Sequence, residues 1–308
     1  MTTTPEDIVV VDLWKRYRQL EAVRGLSFSV QAGCLFGLVG PDGAGKTTTL
    51  RILCGLLKAD QGHCTVRDYD VAREPRKVKS LVGYMPQRFS LYPDLTVAEN
   101  LRFFARLFEV PPDEGRERMR QLLAFSRLEP FQGRRAAQLS GGMKQKLALC
   151  CTLIHTPAVL LLDEPTTGVD PVSRREFWRI LYDLRERGVT ILLTTPYMDE
   201  AARCDRVAFM HQGRIIAQGP PRELSQLVRH HLLEVRCEHL MQAARLLAGN
   251  PAFVTVHLLG DHLHVGVVDP GSGEQTIRRE LKHAGLAVHS IREVVPHVED
   301  VFVELMHR

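Results

Sequence analysis

No stretch of the chain approaches the ~20 consecutive apolar residues that a membrane-spanning helix needs. If the protein works at a membrane, another chain supplies the spans. The seven cysteines include no C-x-x-C pair, and their count is odd. Cys34, Cys54, Cys64, Cys150, Cys151, Cys204 and Cys237 lie mostly in apolar runs. They read as reduced, small core residues of a cytosolic protein, not as a disulfide framework. Met1 to Asp7 carry no basic stretch followed by an apolar one, so a secretory leader is not expected. Aromatics are scarce, at 6%, and no array interleaves them with basic residues. The net charge of +4 over 308 residues is too weak to argue for nucleic acid, and none is expected as a partner. What remains is an ordinary globular composition, 44% apolar and 25% charged, with length for about two domains.

One stretch organises the rest. Gly40-Pro41-Asp42-Gly43-Ala44-Gly45-Lys46-Thr47-Thr48 fits G-x-x-x-x-G-K-[ST]. It lies between a short apolar strand, Cys34–Val39, and a helix that runs without a breaker to Cys54. Strand, glycine loop and helix make the cradle a nucleotide's phosphates need. Gly43 and Gly45 let the backbone turn its N–H groups inward, and the helix start adds free N–H groups and partial positive charge. Lys46 can reach the β- and γ-phosphates, and the Thr47 hydroxyl can ligate Mg²⁺.

Upstream, Ile8–Val11 and Ala22–Val30 read as strands of a small antiparallel sheet. Tyr17 precedes the loop; on position alone it suits a core or surface tyrosine better than an adenine-stacking one. Val82–Gln87 is a short strand with a polar end. Thr96 and Glu99 form a capping box that opens a charged helical stretch to about Gln138, interrupted by Pro111-Pro112 and Gly133. Ser140-Gly141-Gly142 starts another helix and offers a second anion-binding end, though alone it would be an ordinary cap and turn. Ala158–Leu162 is a continuous apolar run ending in Asp163-Glu164. It reads as a buried parallel strand with its acids where ligands bind in such sheets. Asp163 would hold Mg²⁺ through water and Glu164 would polarise an attacking water. Pro171–Arg187 is a helix, Val189–Thr195 another buried strand, and His211-Gln212-Gly213 the turn of a hairpin.

Gly219-Pro220-Pro221 marks a domain edge. Beyond it the order is β-α-β-β-α-β plus a last helix over Val298–Met306, a small α+β module. Its histidines show no metal-ligand spacing, and His262 and His264 are expected to face solvent.

Taken together these motifs resemble the ATP-binding subunits of ABC transporters. Gly40–Thr48 is similar to their Walker A loop, Gln87 to the Q-loop glutamine, Leu139–Met143 to the signature, Val159–Glu164 to Walker B, and Gly168–Pro171 to the D-loop. The wording around Asp42, the stretch Tyr84–Asn100 and the C-terminal module resemble the ATPases of ABC-2-type exporters. Asp42 in particular resembles the first half of tandem-ATPase subunits.

The resemblance implies an α/β P-loop NTPase of ABC type, with a parallel-sheet core, an antiparallel β subdomain and an inserted helical subdomain at about 95–155. The nucleotide-binding domain would be 1–222 and the accessory α+β domain 223–308. ATP would be held by Tyr17, Gly40, Pro41, Asp42, Gly43, Ala44, Gly45, Lys46, Thr47, Thr48 and Gln87, and Mg²⁺ by Thr47, Gln87 and Asp163. Glu164 and Lys46 would be catalytic. Ser140, Gly141 and Gly142 would act in a partner's site. The implied partners are a membrane permease and a second ATPase, the same chain or a different one. The implied location is peripheral, on the cytoplasmic face of the membrane. One position departs: Pro196 stands where the family has a switch histidine. A regulatory, poorly hydrolysing subunit and a soluble ABC protein outside transport are the alternatives.

Overall fold

The computed structural model describes residues 5–88 and 91–306. The chain divides into two units, Met1–Pro220 and Pro221–Arg308.

The first unit opens on a hairpin of two long strands, β1 (Glu6–Tyr17) and β2 (Leu20–Gln31). Sequence suggested a strand ending at Val11, but β1 runs on. A register shift between Val10 and Leu13 absorbs Asp12, at φ +46°, so pairing resumes beyond it. Next come β3 (Leu35–Val39), buried throughout, and α1 (Lys46–Leu53). β4 (Gln61–Val66) and β5 (Tyr69–Asp70) complete an antiparallel sheet of order β2-β1-β4-β5. A helix not foreseen, α2 (Pro75–Leu81), precedes β6 (Val82–Met85). Pro75 supplies the pre-set φ of a first turn, and only Val78 is buried, so the segment shows little periodic signal.

α3 (Val97–Leu107) carries the expected capping box. Thr96 Oγ1 accepts the Glu99 N–H at 3.2 Å, and Glu99 Oε2 accepts the Thr96 N–H at 2.8 Å. Such a cap contributes about 1 kcal/mol. α4 (Pro112–Ser126) restarts the chain at the double proline, and α5 (Gly141–Leu153) follows Ser140. These three helices share an apolar cluster that includes Leu101, Leu123 and Leu147.

The remaining elements of this unit are β7 (Val159–Asp163), α6 (Pro171–Glu186), β8 (Thr190–Thr195), α7 (Met198–Ala201), β9 (Arg206–His211) and β10 (Arg214–Gly219). α6 buries Phe177, Trp178, Ile180, Leu181 and Leu184, a stripe at helical spacing. Each such side chain is worth roughly 1.5–3 kcal/mol on burial.

The large sheet has the order β10-β9-β3-β8-β7-β6. All neighbours are parallel except the edge pair β10–β9. Parallel pairing has one consequence for function: the loops leaving β3, β8, β7 and β6 all emerge along the same edge. All seven cysteines are buried and unpaired, and burial pushes the Cys64 thiol up to about 12.

The second unit begins with α8 (Pro221–Leu224), followed by β11 (His231–Cys237), α9 (Leu240–Ala248), β12 (Thr255–Leu259), β13 (His262–Val267), α10 (Pro270–His283), β14 (Val288–Val294) and α11 (Val298–Met306). Its strands form an antiparallel sheet of order β12-β13-β11-β14, a split βαβ arrangement. Leu233, Val235, Leu263 and Val265 pack with Ala243, Leu247, Ile277 and Leu281. α10 starts at Pro270, where Asp269 Oδ2 accepts the Ser272 N–H at 2.7 Å and caps it. The expectation for His262 and His264 is overturned. His264 is 3% exposed and bonds Asp300 of α11, and His262 is only partly exposed. α11 brings its carboxylate to the sheet face that strand alternation alone assigns to solvent.

Candidate functional site: the carboxyl edge of the parallel sheet

The glycine loop follows β3. Gly43 (φ +78°) and Gly45 (φ +107°) adopt backbone that L side chains rarely take. Gly43 has open space around it, so conformation alone requires glycine there. Gly45 has a second reason: a Cβ would lie 2.2 Å from the Ala22 carbonyl oxygen. No side chain caps α1. Its first-turn N–H groups therefore remain available to an anion.

Lys46 is 4% exposed, yet its ammonium is satisfied. It donates to the carbonyls of Gly40 at 2.8 Å and Pro41 at 3.0 Å, and Glu164 Oε1 lies 3.4 Å away. Gly40 and Pro41 thus hold the lysine and do not line the cavity beside it. That cavity, about 410 Å³, is bounded by Tyr17, Leu20, Ala22, Asp42 to Thr48, Gln87 and Glu164. The β1–β2 turn delivers Tyr17 and Leu20, which pair across the hairpin.

β7 ends in the two acids. Asp163 Oδ1 accepts from Thr47 at 3.0 Å and from Thr194 at 2.7 Å. Its Oδ2 is buried without a hydrogen-bond partner among the described residues. Burial first, and the Asp163 charge second, push the Tyr84 phenol up to about 12, so it stays neutral. Glu164 has φ +47°, held by its N–H on the Thr194 hydroxyl at 3.0 Å. A non-glycine residue in that region is strained by roughly 1–3 kcal/mol. Gln87 Nε2 donates to Glu164 Oε2 at 2.9 Å.

Thr194 escaped the sequence reading as a site residue. The only signal was a hydroxyl pair, Thr194-Thr195, ending an apolar buried strand. Glu200 also escaped. It is 1% exposed and accepts from Thr195 Oγ1 at 2.6 Å, Arg174 Nε at 2.6 Å and Trp178 Nε1 at 3.2 Å, and it also accepts from Thr166. This buried carboxylate ties the end of β8 to α6 and to the turn after β7.

Pro196 leaves β8 between the strands that deliver the glycine loop and the acids. It is not among the residues lining the cavity. Ser140, Gly141 and Gly142 also lie outside it. Ser140 Oγ accepts the Met143 N–H at 3.3 Å as cap of α5, and both Ser140 and Gly141 are exposed.

A lysine buried behind a glycine loop, facing acids that end another parallel strand of the same sheet, defines a P-loop nucleotide-binding protein. The family model described as ABC transporter matches residues 23–167. Nod factor export ATP-binding protein I of Ralstonia nicotianae is 41% identical over 302 residues, covering 97% of this chain and 93% of that protein. The probable multidrug ABC transporter ATP-binding protein YbhF of Escherichia coli is 40% identical over 307 residues. That match covers 97% of this chain and 52% of YbhF, so the chain spans about half the length of that relative. A solved ATP-binding subunit of an ABC transporter superposes with a TM-score of 0.65 at 30% identity, covering 71% of this chain and 92% of its own. A dimeric ATP-binding cassette in a post-hydrolysis state with ADP and phosphate superposes with a TM-score of 0.64 at 25% identity, covering 69% and 98%. The chain belongs to the ABC transporter ATP-binding proteins. No helix among its described residues is long and apolar enough to cross a membrane.

Proposed function

We propose that this chain is the ATPase subunit of an exporter, binding MgATP at the glycine loop and driving a separate membrane subunit. The observation that carries this is the convergence of Lys46, Thr47, Gln87 and Glu164 on one cavity, with Asp163 hydrogen-bonded to Thr47 behind it. The names of its relatives, Nod factor export and multidrug transport, support the direction.

The residues fit the ligands. Thr47 and the unpartnered Oδ2 of Asp163 offer the hard oxygens that suit Mg²⁺, with Gln87 beside them. When bound, Mg²⁺ would neutralise charge on the phosphate oxygens. The α1 N–H groups and Lys46 would hold the triphosphate, the lysine exchanging two loop carbonyls and Glu164 for phosphate oxygens. That exchange frees Glu164 to orient a water in line with the γ-phosphorus. The water oxygen then bonds phosphorus as its proton passes to the Glu164 carboxylate or a phosphate oxygen, and the bond to the ADP oxygen breaks with its electron pair leaving on ADP. Tyr17, at the cavity mouth, offers a ring face for adenine. In such transfers catalysis is mostly positioning and charge stabilisation.

The exposed start of α5 would complete a second chain's site with Ser140, Gly141 and Gly142. Gln87 lines both the nucleotide cavity and a neighbouring one, about 370 Å³, bounded also by Gly141 and Thr167 to Val169. In this reading Gln87 would pass nucleotide state to a membrane partner. A peripheral position on the cytoplasmic face follows from that role. Pro196 favours an asymmetric pair: this chain's own site is slow, and it completes a faster site on a histidine-bearing ATPase. The accessory unit after residue 222 would regulate or support pairing without binding nucleotide. Co-purification with a membrane protein and nucleotide-dependent dimerisation test the reading. A monomer that never pairs with any ATPase in MgATP contradicts it.

A further inference from the structure

We propose that Glu234, His262 and His264 form a binding site for one divalent transition-metal ion of the Zn²⁺ class. Strand geometry brings them together. His262 and His264 are two residues apart on β13 and share a face, and cross-strand pairing sets Glu234 of β11 opposite His264. A ligand atom from each lies within 4.8 Å of the other two.

The setting is that of a built site. His264 and Glu234 are 3% and 6% exposed, while the His262 side chain, at 20%, leaves an entry. Each imidazole is already oriented by a carboxylate. His264 Nδ1 bonds Asp300 Oδ1 at 2.5 Å, and His262 Nδ1 bonds Asp261 Oδ1 at 2.9 Å. Metal-bound histidines almost always use their second nitrogen this way, which leaves Nε2 of each ring for the ion. Two imidazoles and one carboxylate suit Zn²⁺ and its late first-row neighbours, with a fourth position for water.

Glu234 is engaged by Arg292 at 3.0 Å and Arg236 at 2.9 Å. The hydrogen bonds from Arg292 lead in holding its carboxyl down, burial opposes them, and Arg236 adds to them; the result is about 2. Both arginine side chains are exposed, 64% and 40%, and can swing into water. Three carboxylates, Glu234, Asp261 and Asp300, face two guanidiniums around the rings, so the cluster accepts added positive charge. Ligand distances of roughly 2.0–2.2 Å to Zn²⁺ require the donors to draw closer than they now stand. Releasing Glu234 from its arginines permits that.

The test uses the full chain, stripped by chelator and kept free of nucleotide and Mg²⁺. Zn²⁺ is titrated calorimetrically, bound metal is counted after gel filtration, and Co²⁺ loading is followed by visible spectroscopy. The expected result is one Zn²⁺ per chain, with tetrahedral Co²⁺ bands and a raised unfolding temperature. Glu234→Gln and His264→Gln should each weaken binding by more than about 100-fold. Asp300→Asn, which removes no ligand, should weaken it by about 10–100-fold, the usual cost of losing an orienting partner. If His264→Gln fails to fold, His262→Gln serves, because that ring is partly exposed. Zn²⁺ retention no greater than that of the His262→Gln, Glu234→Gln double variant overturns the site. So does full-affinity binding in either single variant.

Discussion

Gln87 and Glu164 lie 77 residues apart in the chain, and their side chains are joined by a 2.9 Å hydrogen bond across the ends of β6 and β7. The same glutamate stands 3.4 Å from the Lys46 ammonium. If Lys46 binds phosphate as proposed, Glu164 would lose this contact, and the change would reach Gln87 through their hydrogen bond.

Replacing Lys46 by alanine removes the only ammonium among the described residues that line the cavity. Tight MgATP binding should be abolished. Equilibrium titration with a fluorescent ATP analogue reads this directly; affinity within about a factor of two of the natural chain would remove the loop from the phosphate role.

Glu164→Gln keeps the shape and the Gln87 contact but loses the charge. The variant should still bind ATP and should hydrolyse it slowly, accumulating a closed dimer visible by gel filtration in MgATP. Normal turnover would take Glu164 out of the reaction.

Gly45→Ala meets two obstacles at once, a φ of +107° and a Cβ only 2.2 Å from the Ala22 oxygen. ATP affinity should fall with it, and the unfolding temperature as well. Gly43→Ala shares the unfavourable φ but meets open space, and should be the milder change in both measurements. The reverse ranking would mean that the approach of β2 to the loop does not matter.

A chain ended after about Ser225 should remain folded and bind ATP, since the cavity residues all precede Pro220. Loss of binding by a soluble truncation with native circular dichroism would show that the accessory unit supports the site.

Pro196 lacks both a side-chain donor and a backbone N–H. Loss of one preorganised donor typically slows a reaction by on the order of 10²–10³. Steady-state ATPase assays should show slow turnover by the isolated chain and a gain in Pro196→His. Robust turnover by the natural chain, with no gain from histidine, would leave the site intact as it stands. A purified transporter holding two copies of this chain and no other ATPase would also speak against an asymmetric pair.

The local parts of the site were legible because they rest on short-range rules. The glycines sit where positive φ is needed, Ser140 and Thr96 sit at helix caps, and Ala158–Leu162 is apolar enough to be a buried strand. The motif order along the chain was equally legible. What the tertiary structure decided is who meets whom. Only the order β3-β8-β7-β6 brings Thr194 to Asp163 and Gln87 to Glu164, because parallel strands deliver their loops to one edge whatever their distance in sequence. Glu200, on a four-residue helix, gave no sign that four donors would converge on it in the core. His264 shows the same limit in the second unit. Alternation along β13 correctly put it opposite the apolar face, but whether that face met water or α11 depended on a helix 36 residues further on.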